Sequence, residues 1–156
     1  SGVVAAILQD GEKTWIDFYA TDGSLIAENQ TRIDSPGYPV DLAVSPDGKL
    51  IMISYLYVED GQTTSYVAFY NFGDEGQGEI DNIVAGFTYD GVVVPQVVYL
   101  GSGVSAAFRD DGFSIYEGGS VPKEKTKKEI KTDIVSTFYN ENYVGLVSKS
   151  DGKDEK

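Results

Sequence analysis

From Val40 to Tyr57 the chain reads VDLAVSPDGKLIMISYLY. An alternating run meets a Ser45-Pro46-Asp47-Gly48 turn and then a second apolar run, the pattern of two antiparallel strands joined by a hairpin. The same arrangement returns in VPQVVYLGSGVSAAF from Val94 and in IVSTFYNENYVGLVS from Ile134, so that the starts lie 54 and 40 residues apart. Strand-turn-strand units at such a period, once loop insertions are allowed, describe the inner half of a propeller blade. Each unit then calls for a third strand and a more polar fourth, giving the order A, B, C, D from axis to rim.

Taken in order, Val3 to Leu8 and Thr14 to Ala20 read as strands around Asp10-Gly11. In the second, Ile16, Phe18 and Ala20 share one face and Trp15, Asp17 and Tyr19 the other, the period of a sheet. Asp22-Gly23 leads into a more polar strand from Ser24 to Arg32. Ser35-Pro36-Gly37-Tyr38-Pro39 reads as a loop, because two prolines around a glycine do not suit a central strand. Strands at Val40 to Ser45, Leu50 to Val58, Tyr66 to Phe72 and Glu79 to Thr88 then make one complete blade. Val92 to Leu100, interrupted by Pro95, Val104 to Phe108 and Phe113 to Tyr116 begin a second, with Lys123 to Lys131 as loop plus outer strand. Ile134 to Tyr139 and Tyr143 to Lys149 open a last one.

The ends match each other: VVAAILQDGEKTWIDFY from Val3 is like strands B and C, and VGLVSKSDGKDEK from Val144 is like a strand B and the same Asp-Gly turn. The expected fold is therefore all-β, a partial β-propeller of about two full and two partial four-stranded antiparallel blades over residues 1–150, with a polar frayed tail at 151–156. Closure takes at least four blades. The expectation is a piece of a larger propeller, two copies completing each other as a homodimer through open blade edges, or an open array. Ser1-Gly2 running straight into a strand suggests that any anchor lies outside this sequence.

Residue types narrow the chemistry. Cysteine and histidine are both absent, which excludes disulfides, thiolate zinc sites, cysteine nucleophiles and every Ser-His-Asp arrangement. With 25 acidic and 12 basic side chains the formal charge is −13, which repels phosphate backbones and argues against nucleic-acid binding. No apolar run approaches the roughly 20 residues of a membrane helix, so this segment is not expected to insert.

Seven Asp-Gly pairs, beginning at Asp10, Asp22, Asp47, Asp60, Asp90, Asp111 and Asp151, suit type I′ hairpin turns, in which both central residues take positive φ. Asp74, Glu75, Glu79 and Asp81 form the densest acidic cluster, in a glycine-rich loop where carboxylates and carbonyls suit calcium; a solvated loop explains them equally well. No other cofactor is expected. Tyr38, in the Pro-Gly loop entering a blade, is the best single candidate for an exposed contact, since loops at one end of a propeller usually carry binding. Most of the other tyrosines, Tyr55, Tyr57, Tyr66, Tyr70, Tyr89, Tyr99, Tyr116, Tyr139 and Tyr143, are expected between blades with their hydroxyls at the edge. Lys123, Lys125, Lys127, Lys128 and Lys131 blunt an outer edge, or meet an anionic cell-wall polymer or lipid headgroups. Carboxylates and tyrosines are the remaining groups for catalysis, and an arginine-dependent glycosidase has only Arg32 and Arg109 to draw on.

The Ser45-Pro46-Asp47-Gly48-Lys49 turn resembles those of WD40-like and TolB-like propeller repeats. FRDDGFSIYEGG from Phe108, together with DIVSTFYNENYVGLV from Asp133, is similar to an uncharacterised family of Firmicute cell-surface proteins in which one membrane helix precedes an extracellular propeller. The resemblance runs from about Val40 onward and brings no catalytic residues with it. It implies an extracellular domain at the cell surface, membrane-anchored through the parent protein; the repeat pattern, the acidic surface and the missing catalytic residue types point to a non-enzymatic binding, scaffold or sensor domain that takes a protein or cell-wall ligand on its blade loops or axial face. The alternative is a propeller-type enzyme acting on polysaccharide through carboxylates.

Overall fold

The computed structural model describes residues 3–10, 13–31, 37–71, 83–130, 134–139 and 144–148. All regular structure among them is antiparallel β. The first sheet holds β1 (Val3–Asp10), β2 (Lys13–Ala20) and β3 (Leu25–Thr31). The second holds β4 (Tyr38–Val44), β5 (Leu50–Glu59), β6 (Gln62–Asn71) and β7 (Ile83–Asp90) in sequence order. The third repeats that meander with β8 (Gln96–Gly101), β9 (Val104–Arg109), β10 (Gly112–Glu117) and β11 (Lys123–Glu129). A final pair, β12 (Ile134–Tyr139) and β13 (Val144–Ser148), makes the fourth. Two four-stranded blades thus stand between partial ones, the partial propeller expected from the repeats.

The sheets pack through the two faces of each strand. In β5 and β6, Ile51, Ile53, Tyr55, Ala68 and Tyr70 meet Ile16 and Phe18 of the first sheet. One residue out of step, Met52, Val67 and Phe69 meet Val97, Ala107 and Tyr116 of the third. This explains why LIMISY in β5 is apolar without a clean alternation: a strand between two neighbouring sheets has no solvent face. The next seam repeats the rule, with Val98, Ala106 and Phe108 turned the other way toward Leu146 of β13. Fully burying a side chain of this size stabilises the fold by about 1.5–3 kcal/mol, so the seams, rather than any one sheet, hold the blades together.

Phe69 lies edge-on to Phe87 and to Tyr116, with ring centroids 6.2 and 5.3 Å away. Such T-shaped pairs add roughly 0.5–1.5 kcal/mol beyond burial. The hydroxyls of Tyr55, Tyr70, Tyr89 and Tyr116 are paired inside the seams and not at the edge, where the sequence suggested them; the side chains of Tyr139 and Tyr143 lie outside the described residues. Tyr55 and Tyr70 share a buried hydrogen bond of 2.9 Å. The Tyr116 hydroxyl meets that of Tyr89, which in turn meets the Glu124 carboxylate. In these two pairs a buried phenol is satisfied by another phenol, because water is out of reach there.

Three further readings change. Tyr38 and Pro39 open β4 instead of lying in a loop, pairing with Leu56 and Tyr55. Pro39 is tolerated because β4 is an edge strand and a register shift follows between Pro39 and Asp41. Residues 92–95 are not strand, and β8 starts only after Pro95. Of the described Asp-Gly pairs, only Asp60-Gly61 has positive φ at both residues, 49° and 74°. At Asp47 the aspartate caps its own turn instead. Its Oδ1 accepts hydrogen bonds from Ser45 Oγ at 2.6 Å and Lys49 N at 3.0 Å, while Gly48 N donates to Ser45 O at 2.8 Å. Within the lysine-rich stretch the expected outer strand is present as β11, paired on one side with β10, and Lys131 lies outside the described residues.

Candidate functional site

The innermost strand of each full blade, β4 and β8, lies beside the other, and β4 also lies beside β1. Between β4 and β8 a cleft of about 430 Å³ opens, walled by Asp41 to Val44 and Pro46 on one side and Gln96 to Tyr99 on the other. That size falls within the roughly 300–1,000 Å³ of small-molecule sites. Its walls come from rigid strands and one self-capped turn, so its shape is fixed by the seam beneath it.

Three polar side chains stand in the wall, beside backbone groups that keep most of its surface polar. Asp41 Oδ2 accepts the Val97 N–H at 2.8 Å and so ties β4 to β8. Burial raises the Asp41 carboxyl above its ordinary value, against the opposing pull of the Val97 and Leu42 N–H groups. Gln96 Oε1 accepts the hydroxyl of Thr137, tying β8 to β12 and leaving the amide NH₂ of Gln96 to donate elsewhere. The Tyr99 hydroxyl is buried and has no hydrogen-bond partner among the described residues. Burial, and then the negative charge of Asp47, push that hydroxyl above the usual phenol range. An unpaired buried hydroxyl costs about 1–3 kcal/mol.

A second polar cluster fills the seam behind β9 and β10. Arg109 is 1% exposed, and its Nη2 donates to Lys128 O at 3.0 Å and Phe113 O at 3.3 Å. Its Nη1 lies 3.4 Å from Asp111 Oδ1. The guanidinium also sits 5.3 Å from the centre of the Tyr89 ring, with the Lys127 ammonium 5.6 Å from the same ring. Since the Tyr89 hydroxyl donates to Glu124, the Tyr116 hydroxyl donates to Tyr89. Burial, then the Glu124 hydrogen bond, pushes Tyr89 up to about 12. Arg109 is thereby committed to backbone carbonyls, one aspartate and a ring; Arg32 lies outside the described residues.

Of the residues singled out from sequence, Tyr38 is 40% exposed at the start of β4 and does not line the cleft. Asp74, Glu75, Glu79 and Asp81 lie outside the described residues, as do residues 151–156. Among the described residues no group of three or more carboxylates is placed to hold a metal ion. Asp110 and Asp111 belong to a turn, where Asp110 N donates to Val93 O at 3.0 Å. Lys123, Lys125 and Lys128 are exposed on β11 without an ion pair among the described residues. Asp41, Gln96 and Tyr99 were not singled out as a site. Their signal was the carboxylate in VDLAV and the amide in PQVV, each a polar residue near the start of an inner strand that otherwise reads apolar.

No curated protein sequence matches this chain. A family model does, over residues 1–156, and the chain belongs to DUF5711, a family of unknown function.

Proposed function

We propose that this chain is a non-enzymatic binding module, acting as scaffold or sensor in a membrane-anchored cell-surface protein, and that it holds a protein or cell-wall ligand at the axial end of its blades. The observation that carries this reading is the cleft between β4 and β8, whose polar groups are held in place by rigid strands. Preorganised groups in a shaped recess favour binding, because no ordering cost falls on the protein when the ligand arrives. The extracellular placement is supported by the likeness of the Phe108 and Asp133 segments to Firmicute cell-surface propellers with WD40-like or TolB-like repeats.

The tying roles of the ionisable groups argue in the same direction. Asp41 holds a backbone N–H, Asp47 caps a turn and Arg109 is buried among carbonyls. A polysaccharide-acting enzyme would instead need two carboxylates facing each other about 5–9.5 Å apart across an open cleft. The test is a calorimetric titration with a panel of glycans and cell-wall fragments, run alongside an assay for released product. Binding without turnover is the expected result; turnover abolished by a single carboxylate substitution would sink the binding-only reading.

A further inference from the structure

We infer that the β4–β8 cleft selects a small ligand carrying a protonated primary amine, with Asp41 as its counter-charge. This rests on the reading of the cleft as the binding site and adds the chemistry that the cleft accepts. Two backbone N–H groups, from Val97 and Leu42, occupy only part of the Asp41 carboxylate, which offers about four acceptor positions in all. The wall residues include no lysine or arginine, and the turn carboxylate of Asp47 adds negative charge close to Tyr99. On a chain of formal charge −13 this is a site that repels anions.

The neutral amide suits the same class. Gln96 has its oxygen engaged by Thr137 and presents donors, while the Tyr99 hydroxyl is buried behind the wall and is not offered to a ligand. An ammonium at Asp41 with a hydroxyl group reaching the Gln96 amide satisfies both side chains. An amino sugar and an aliphatic diamine share that ammonium, and only the sugar has the hydroxyls. Partial burial of the carboxylate strengthens a charge-assisted hydrogen bond relative to one made in open water.

Asp41→Asn separates charge from structure, because the asparagine oxygen still accepts the Val97 N–H while the amide presents a donor where the ammonium would sit. Backbone amide chemical shifts of the full chain are followed during titration with glucosamine, N-acetylglucosamine, putrescine and diacetylputrescine. Glucosamine and putrescine are expected to shift the amides of Asp41, Val97 and Tyr99, glucosamine the more tightly, and the acetylated partners to bind at least about tenfold more weakly. D41N should lose about the same factor for the amines with an unchanged melting temperature. The free-versus-acetylated comparison needs no variant, so a D41N chain that fails to fold leaves the test intact. Equal affinity for glucosamine and N-acetylglucosamine at these amides overturns the amine inference while the cleft remains a binding site. No shift at the cleft with any glycan, amine or cell-wall fragment overturns both.

Discussion

Removing one hydroxyl from the Tyr55–Tyr70 pair tests how the blade seams handle polar groups. The two rings stand on one face of β5 and β6, and between them in the register Ile53 faces Ala68. Their hydroxyls meet at 2.9 Å, and burial holds both phenols in the protonated form. Tyr55→Phe or Tyr70→Phe leaves the partner hydroxyl buried and unpaired, a loss of about 1–3 kcal/mol. The two are not equal: Tyr70 is 8% exposed and Tyr55 3%, so the hydroxyl left behind by Y70F is the harder to hydrate and Y70F costs more. The double variant removes both polar groups and should cost no more than the worse single, a coupling of about 0.5–3 kcal/mol. Urea unfolding followed by the fluorescence of Trp15, the sole tryptophan, gives all four corners of the cycle. Because Trp15 lies in β2, it reports on the sheet that this seam holds. Additive losses, or singles without effect, would refute the matched-pair account.

Other outcomes follow from single contacts. Gly112→Ala would place a Cβ 1.9 Å from the Lys128 carbonyl oxygen at φ 153°, so β10 and β11 cannot keep their register; a loss of more than about 2 kcal/mol is expected on denaturant unfolding. Tyr89 is raised from an unfolded value near 10 to about 12, which means that the folded chain keeps a proton the unfolded chain gives up. Its stabilising contribution is complete below pH 10 and is lost as pH rises through 12, so unfolding and tyrosinate absorbance should appear together in that window. Asp47→Ala removes the acceptor for Ser45 Oγ and Lys49 N and should lower stability by about 1 kcal/mol, checked by thermal melting.

How much of this the residues announced depends on the kind of order involved. The recurring apolar-turn-apolar units at Val40, Val94 and Ile134 announced two full blades and two partial ones, because period-2 patterning and turn chemistry are local properties of a chain. Strand limits at proline were less legible. Pro39 sits within β4, since an edge strand tolerates a missing donor, whereas Pro95 stands before β8 and not inside it. The Asp-Gly turns were recognisable as turns, but not as turns of different kinds, because an aspartate that caps its own loop looks the same in sequence as one with positive φ. Least legible was the cleft. Asp41 and Gln96 are 55 positions apart (96 − 41), and nothing local says that the inner strands of consecutive blades meet. The fate of the tyrosine hydroxyls was hidden for the same reason: each partner lies at least 15 residues away, in another strand.

The central claim is that the inner-strand seam of two full blades is the ligand site. Hydrogen–deuterium exchange of the chain, with and without a cell-wall fragment mixture, tests it most directly. Added protection confined to residues 41–46 and 96–99, absent from D41N, is the expected result. Protection that appears instead only along Lys123–Glu129 or around Tyr38, with the 41–46 and 96–99 segments unchanged, would contradict it.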